Sequence, residues 1–351
     1  MKRHVKFPSI GQFRNAVSSV KHFSKQNNLR LPTVNAVGTE KIHGTNSSVC
    51  FNSQAGFWVQ SKERVLSVEK DNYKCALWCE DHKEEWMGII HDLAAEHDID
   101  LHNNIITIYF EWCGGGIQKK SAISGLDKRA IIFRHFSVAT LEPTFYNNDP
   151  NKEYLKWYPT TVRSYHIDCV EHDIHNIMNF PKYKFTIDFE NPLLTQNEMI
   201  RIVEEVIEPD SPVGKVFGKD GNVGEGIVVS FMFGNELITF KVKGEKHSKS
   251  KVKTLKPVDE VKEQLKNDIA QQLTPAWRLE QMFDEANNIG AGEEPTIKNM
   301  GAFIKLVNGD IIKEENDIIK KSGLTHKEVF NKTSYIARTW YQDQLNELAF
   351  A

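Results

Sequence analysis

The 351-residue sequence has no apolar run long enough to cross a bilayer. Its most apolar segments, such as residues 226–233, are strand-length, whereas a spanning helix needs about 20 apolar residues. An excess of charge of one sign is missing too. Lys and Arg total 44 against 47 Asp and Glu, a formal net charge of −3. A nucleic-acid partner must therefore meet a local basic patch, because the bulk charge repels it. Cysteine is scarce: Cys50, Cys75, Cys79, Cys113 and Cys169 are an odd number in a long chain. That excludes a small disulfide scaffold and predicts reduced thiols in the cytoplasm. Residues 1–7 carry the charges of a signal peptide, but no apolar stretch comes after them. No G-x-G-x-x-G opens a helix, so Gly114–Gly116 reads as a flexible turn and not as a dinucleotide fingerprint. Internal repeats and low-complexity tracts are absent, as are the composition of collagen and the heptads of a coiled coil.

The composition present is globular, 40% hydrophobic and 26% charged, in a length that suits roughly two domains of about 150 residues. From residue 34 to about 243 the pattern is short β-branched and aromatic runs with turn punctuation. The runs at 48–51, 57–60, 105–110, 130–133, 227–231 and 237–242 predict strands in antiparallel sheets. Helical patches interrupt them near 74–98 and at 196–207.

A boundary falls near Pro257. Upstream, residues 241–256 hold seven Lys against one Glu. Downstream the period becomes helical, with Val258, Val261, Leu265, Ile269 and Leu273 predicting one apolar face. Pro275 suits the start of the next helix, and Gly323 the end of a third. Thr325-His-Lys-Glu328 is a capping box opening a last helix, with Val329, Ile336, Trp340 and Leu348 on its buried side. The expected fold is α+β: an antiparallel-sheet domain over 1–256, then a small all-α domain over 257–351.

The informative string is Glu40-Lys-Ile-His-Gly-Thr-Asn46. A lysine beside a glycine turn is by itself most often a solvated loop residue. Its weight comes from companions downstream, in order: Arg64 after a strand, Glu111 ending another, Phe133, Glu225-Gly226, and Lys241-Val-Lys243. The alternation at 241 and 243 puts both amines on one face of a strand, where they repel unless an anion such as a phosphate lies between them. Gatekeeper lysines on a solvated edge strand give the same pattern.

Together these residues resemble the covalent nucleotidyltransferases, and specifically the RNA ligase 2 family of phage-type nick-sealing enzymes. Related DNA ligases and capping enzymes show K-x-D-G-x-R, whereas His43 and Asn46 stand here in place of Asp and Arg. Their barrel domain is replaced by the helical tail. The resemblance implies an ATP-dependent RNA ligase acting on 3′-hydroxyl and 5′-phosphate ends, preferably at nicks in duplex RNA. It further implies a monomer without membrane association.

Lys41 is then the nucleophile that carries AMP, with Glu225, Lys241 and Lys243 in the transfer step. Glu40, Ile42, His43, Asn46, Arg64, Glu111, Phe133, Lys241 and Lys243 form the nucleotide pocket, with Phe133 stacked on adenine. Glu225 and Glu111 are expected to hold Mg2+ or Mn2+. Lys246 and Lys249, with Arg278, Asp310 and Glu314 of the tail, are expected to engage RNA. Neighbouring cations disfavour a protonated lysine and expose its lone pair. One position departs: the residue after the stacking aromatic, usually Asp, is Arg134.

Other readings stay open. A ligase for DNA nicks, a guanylyltransferase using GTP, and a catalytically silent RNA-binding homologue share most of these features. His166, Cys169, His172 and His175 at three-residue steps offer zinc ligands, though three-residue steps drift around a helix. Cys75 and Cys79 read as buried thiols.

Overall fold

The computed structural model describes residues 2–118, 121–141, 155–160, 167–219, 223–244, 257–287, 289 and 294–350. The chain divides into two units, Met1–Lys21 with Pro32–Lys256, and His22–Leu31 with Pro257–Ala351. No helix among the described residues is long and apolar enough to cross a membrane.

In chain order, the first unit opens with β1 (Gly11–Gln12) and helix α1 (Phe13–Gln26), whose last turns belong to the second unit. Then come β2 (Thr33–Glu40), β3 (Thr45–Asn52), β4 (Gly56–Ser61), α2 (Cys75–Asp81), α3 (Lys83–Glu96) and β5 (Asn104–Cys113). They are succeeded by β6 (Arg129–Ile132), β7 (His135–Thr140), β8 (Leu155–Pro159), β9 (Ile174–Asn176) and β10 (Lys182–Asp188). The unit closes with α4 (Pro192–Ile202), α5 (Pro212–Val216), β11 (Gly226–Phe233) and β12 (Glu236–Lys243).

The expected strands all form, and they pair into two antiparallel-rich sheets. One runs β1-β12-β11-β2-β10; the other runs β4-β3-β5-β6-β9, with β7 and β8 branching from β5. Only β1 with β12 and β6 with β9 pair in parallel among the described residues. Central β5 is buried along almost its whole length, which is why Ile105-Ile-Thr-Ile-Tyr-Phe110 reads as a continuous apolar run. It shares its core with α3 through Trp86, Ile89, Ile90 and Leu93. All five cysteines are free thiols, and Cys75 and Cys79 are fully buried as expected.

Helix α1 is not foreseen. Its core contacts, Phe13, Ala16 and Val20, recur at three and four residues but are diluted by Ser, Asn and Lys. The segment before it is tied to the second sheet: Val5 N–H donates to Gln60 Oε1 at 3.0 Å, and Gln60 Nε2 donates back to the Val5 carbonyl. A few residues later β1 joins the first sheet at Phe240 and Lys241.

The second unit is helical, with α6 (Glu260–Leu273), α7 (Ala276–Ala286), α8 (Met300–Ser322) and α9 (His326–Phe350). Glu328 accepts from the Thr325 backbone at 2.9 Å, and its own N–H donates to Thr325 Oγ1 at 3.3 Å, closing the expected box. Gly323 ends α8 at φ 71°. The apolar face expected on α6 is corrected in part. Leu273 is buried, but Val261 is 82% exposed, and the inward face carries Glu263, paired with Lys266 and Lys332. Leu348, expected inside, is exposed.

Arg278 and Asp310, expected to engage RNA, are paired with each other. Arg278 is 2% exposed; Nε donates to Asp310 Oδ2 at 2.7 Å and Nη1 to the Leu273 carbonyl at 2.6 Å. Glu314 lies on the surface beside Lys313. Removing one partner of a buried pair leaves the other uncompensated. Arg278→Met should therefore lower stability by about 3 kcal/mol in urea unfolding. A change within about 0.5 kcal/mol, the range of ordinary surface substitutions, would show that the pair holds nothing together.

Candidate active site

A cleft of about 660 Å3, open to solvent, lies in the first unit. Period-two alternation builds its walls. From β12 it takes Leu237 and Thr239, which share a face with Lys241 and Lys243; from β11 it takes Val228 and Ser230. Thr39 and Lys41 come from β2 and its end, and Phe133 and Arg134 from the corner between β6 and β7. Ile42 sits on the floor, buried with Ile131, Ile177 and Val213.

Lys41 is fixed where β2 ends, its backbone N–H donating to the Gly226 carbonyl at 2.8 Å. Its Nζ donates to Glu225 Oε2 at 2.6 Å, and His43 Nδ1 lies 3.1 Å from the same oxygen. Lys243 Nζ takes the other oxygen, Glu225 Oε1. Glu225 is thus the hub of three basic groups. Burial works to raise its pKa, but the His43 hydrogen bond, the Lys41 charge and Lys243 outweigh it. The carboxyl is held well below the usual carboxylate range.

Burial and the charges of Lys243, Lys41 and Lys62 lower Lys241, with Glu225 opposing. Lys41, Lys241 and Lys243 thus gather around Glu225, and an anionic ligand there would relieve their repulsion.

Glu111 on β5 stands opposite Asn46 on β3, and its Oε1 accepts the Gly44 N–H at 3.1 Å. Burial lifts it from 4.5 to about 7 against the pull of Lys41 and the Gly44 amide. The two carboxylates expected to hold a divalent ion are engaged by protein groups in this structure. Glu225 is held by Lys41, His43 and Lys243, and Glu111 Oε1 by the Gly44 amide. Among the described residues no cluster of three or more His, Cys, Asp or Glu could hold a metal. Of the proposed zinc set, His166 lies outside the described residues, and His172 pairs with Glu85 at 3.4 Å.

Glu40 also lines the cleft, but its carboxylate turns elsewhere. Oε1 accepts from Ser211 Oγ at 2.5 Å and Oε2 from the Val213 N–H at 2.9 Å. Burial, opposed by these two bonds, raises it from 4.5 to about 7. The folded chain therefore keeps this proton up to about pH 7, while the unfolded chain releases it near 4.5. Stability from this group falls as pH rises between those values, by about 3 kcal/mol in all. Glu40→Gln should flatten the fall measured by urea unfolding between about pH 5 and about pH 8. An unchanged slope would mean that Glu40 is already ionised at the lower pH.

The structure does not bring Arg64 to the cleft. It straps the following loop, donating to the Lys70 carbonyl at 2.6 Å and the Asp71 carbonyl at 3.3 Å. Lys246 and Lys249 lie outside the described residues. Phe7 and Ile10 line the cleft without having been expected to, and Phe7 packs edge-on against Phe133 at 5.2 Å between centroids. No local pattern marks them; only the bridging path of residues 5–12 delivers them.

No curated protein matches the chain. Among solved structures it is similar to an archaeal ATP-dependent RNA ligase in two forms, at 10% and 11% identity and a TM-score of 0.32 for both. The alignments cover 97% of this chain, which spans 65% and 66% of those chains, less than two thirds of their length. The model of the family described as RNA ligase matches residues 35–243, from the strand that delivers Lys41 to the strand that carries Lys243, and the chain belongs to that family.

Proposed function

We propose that the protein is an ATP-dependent RNA ligase of the nick-sealing, phage-like type, joining 3′-hydroxyl to 5′-phosphate ends through a lysyl-AMP intermediate. The observation that carries this is one lysine amine in a cleft lined by Phe7 and Phe133, sharing Glu225 with Lys243 and close enough to Lys241 to lower it.

In the first step the Lys41 Nζ–P bond forms at the α-phosphate, and the bond to the pyrophosphate oxygen breaks. Lys241 and Lys243 take up charge on the phosphate and the transition state. As the phosphate arrives it competes with Glu225 for Lys41 and Lys243, which frees the amine from its carboxylate. The ammonium proton then passes to water, to which the cleft is open, and the lone pair is exposed. The RNA 5′-phosphate next attacks the adenylate, breaking the N–P bond. The 3′-hydroxyl finally attacks that activated phosphate and releases AMP. Phe133 offers a face for the adenine, Asn46 and Glu111 face the ribose side, and His43 stands beside the reacting amine.

The helical unit and the lysines of 246–256 supply an RNA footprint whose attraction weakens with salt. The enzyme works as a monomer in the cytoplasm.

Incubation with α-labelled ATP, digestion and peptide mapping tests the reading. The label is expected on the peptide containing Lys41, in an acid-labile bond. Label on any other peptide, or none, overturns it.

A further inference from the structure

Arg134 lies in the cleft, and no carboxylate among the described residues pairs with it. Its Nη1 donates to the Ser230 carbonyl at 2.6 Å and to Ser230 Oγ at 3.2 Å. Its Nε and Nη2 have no hydrogen-bond partner among the described residues. Burial lowers its pKa, and no neighbouring acid opposes that. The two carboxylates that line the cleft are committed: Glu40 to Ser211 and Val213, and Glu111 to the Gly44 amide. His135 beside it is pushed down to about 3 by burial and by the Arg134 charge, so it is neutral at pH 7 and adds no anion.

The position of this guanidinium says what it meets. Lys41 is tied to Gly226, whereas Arg134 is tied to Ser230, four residues further along β11. At about 3.3 Å per residue those two anchor points on β11 lie roughly 13 Å apart, and the Lys41 amine reaches Glu225, on the side of Gly226 away from Ser230, so Arg134 stands away from the phosphate end. It directly follows Phe133, the aromatic wall. A nucleotide with its phosphate at Lys41 and its base against Phe133 therefore turns a base edge, and not a phosphate, toward Arg134.

A guanidinium only donates. Guanine presents O6 and N7 as adjacent acceptors that match its fork, whereas adenine presents N7 beside a 6-amino donor. We propose that Arg134 is a specificity-determining residue that admits 6-oxopurine nucleotides, so that this cleft takes GTP as well as ATP. The inference rests on the nucleotide placement given above, but not on the covalent step.

Titration of AMP and GMP into the full chain carrying Lys41→Ala, read by calorimetry, tests it. GMP is expected to bind at least as tightly as AMP. Adding Arg134→Asp should weaken GMP relative to AMP by about tenfold or more, and Arg134→Gln, which keeps both a donor and an acceptor, should give an intermediate ratio. A more than tenfold preference for AMP in the parent overturns the proposal. So does a ratio that neither variant moves, or failure of both nucleotides to bind. GMP binding without any labelling of the unaltered chain by ATP would sink the ligase reading alone. Labelling by ATP with an unmoved ratio would sink this one alone.

Discussion

Lys41→Arg should cut formation of the labelled adduct by on the order of 10^4-fold or more, while the urea midpoint stays close to that of the unaltered chain. The substitution keeps a cation within reach of Glu225, so the hub of Glu225, Lys243 and His43 retains its charge balance. It removes the chance of a neutral nitrogen, because a guanidinium is not deprotonated in proteins. Lys41→Ala should give the same loss of adduct with an added cost in stability, since a Glu225 side chain only 5% exposed then loses one of its partners. The pair of variants separates chemistry from folding. Adduct retained in Lys41→Arg would move the nucleophile to another residue.

Gly44→Ala is the second large effect. A Cβ at position 44 would run into the Trp112 carbonyl, with Cys113 Cβ at 2.8 Å and Glu111 Cγ at 2.9 Å. The carbonyl and the Cβ belong to the backbone and rigid stem of β5, which cannot swing aside. The glycine is needed for space and not for an unusual φ, since it is absent from the positive-φ positions. Forcing a methyl there would push β5 from the start of β3, break the bond from Gly44 N–H to Glu111 and displace nearby Lys41. Overpacking of this kind costs about 1–3 kcal/mol, and a shift of about 1 Å at a reacting group costs about a hundredfold in rate. Both losses should appear together, in urea unfolding and in the labelling rate. A variant that labels at the normal rate would show that β5 yields without moving the lysine.

Much of the sheet architecture is legible because β-branched and aromatic runs state their own period. Lys241 and Lys243 share a face as the alternation requires, and the same alternation carries on to Leu237 and Thr239 in the cleft wall. For the helices, period alone misleads. Val261 and Leu265 repeat correctly, yet a charged network around Glu263 occupies the inward side of α6, and no spacing rule announces a buried carboxylate that has two lysine partners.

The meeting of Lys41 and Lys243 at Glu225, with Lys241 close by, is legible in the sequence. The engagement of Glu40 is not, because Ser211 and Val213 stand 171 and 173 residues away and only the folded path brings them near. Arg64 and Arg278 are both held by internal partners that their sequence neighbours do not announce. An arginine in a motif-like string can as readily hold backbone carbonyls and an internal acid as reach for a ligand, and its sequence neighbours look alike in both cases.

The order of β1-β12-β11-β2-β10 has a consequence for synthesis. Strand β2 is made by residue 40, but its neighbours β10 and β11 arrive only with residues 182–188 and 226–233. At about 5–20 residues per second, the strand that leads into Lys41 waits on the order of 10–40 s before both edges can be paired. The other sheet, complete by residue 176, can close in that interval. The nascent chain is thus most open to mispairing in its middle period, and a message truncated before codon 236 would yield Lys41 without the strand that supplies its neighbouring amines.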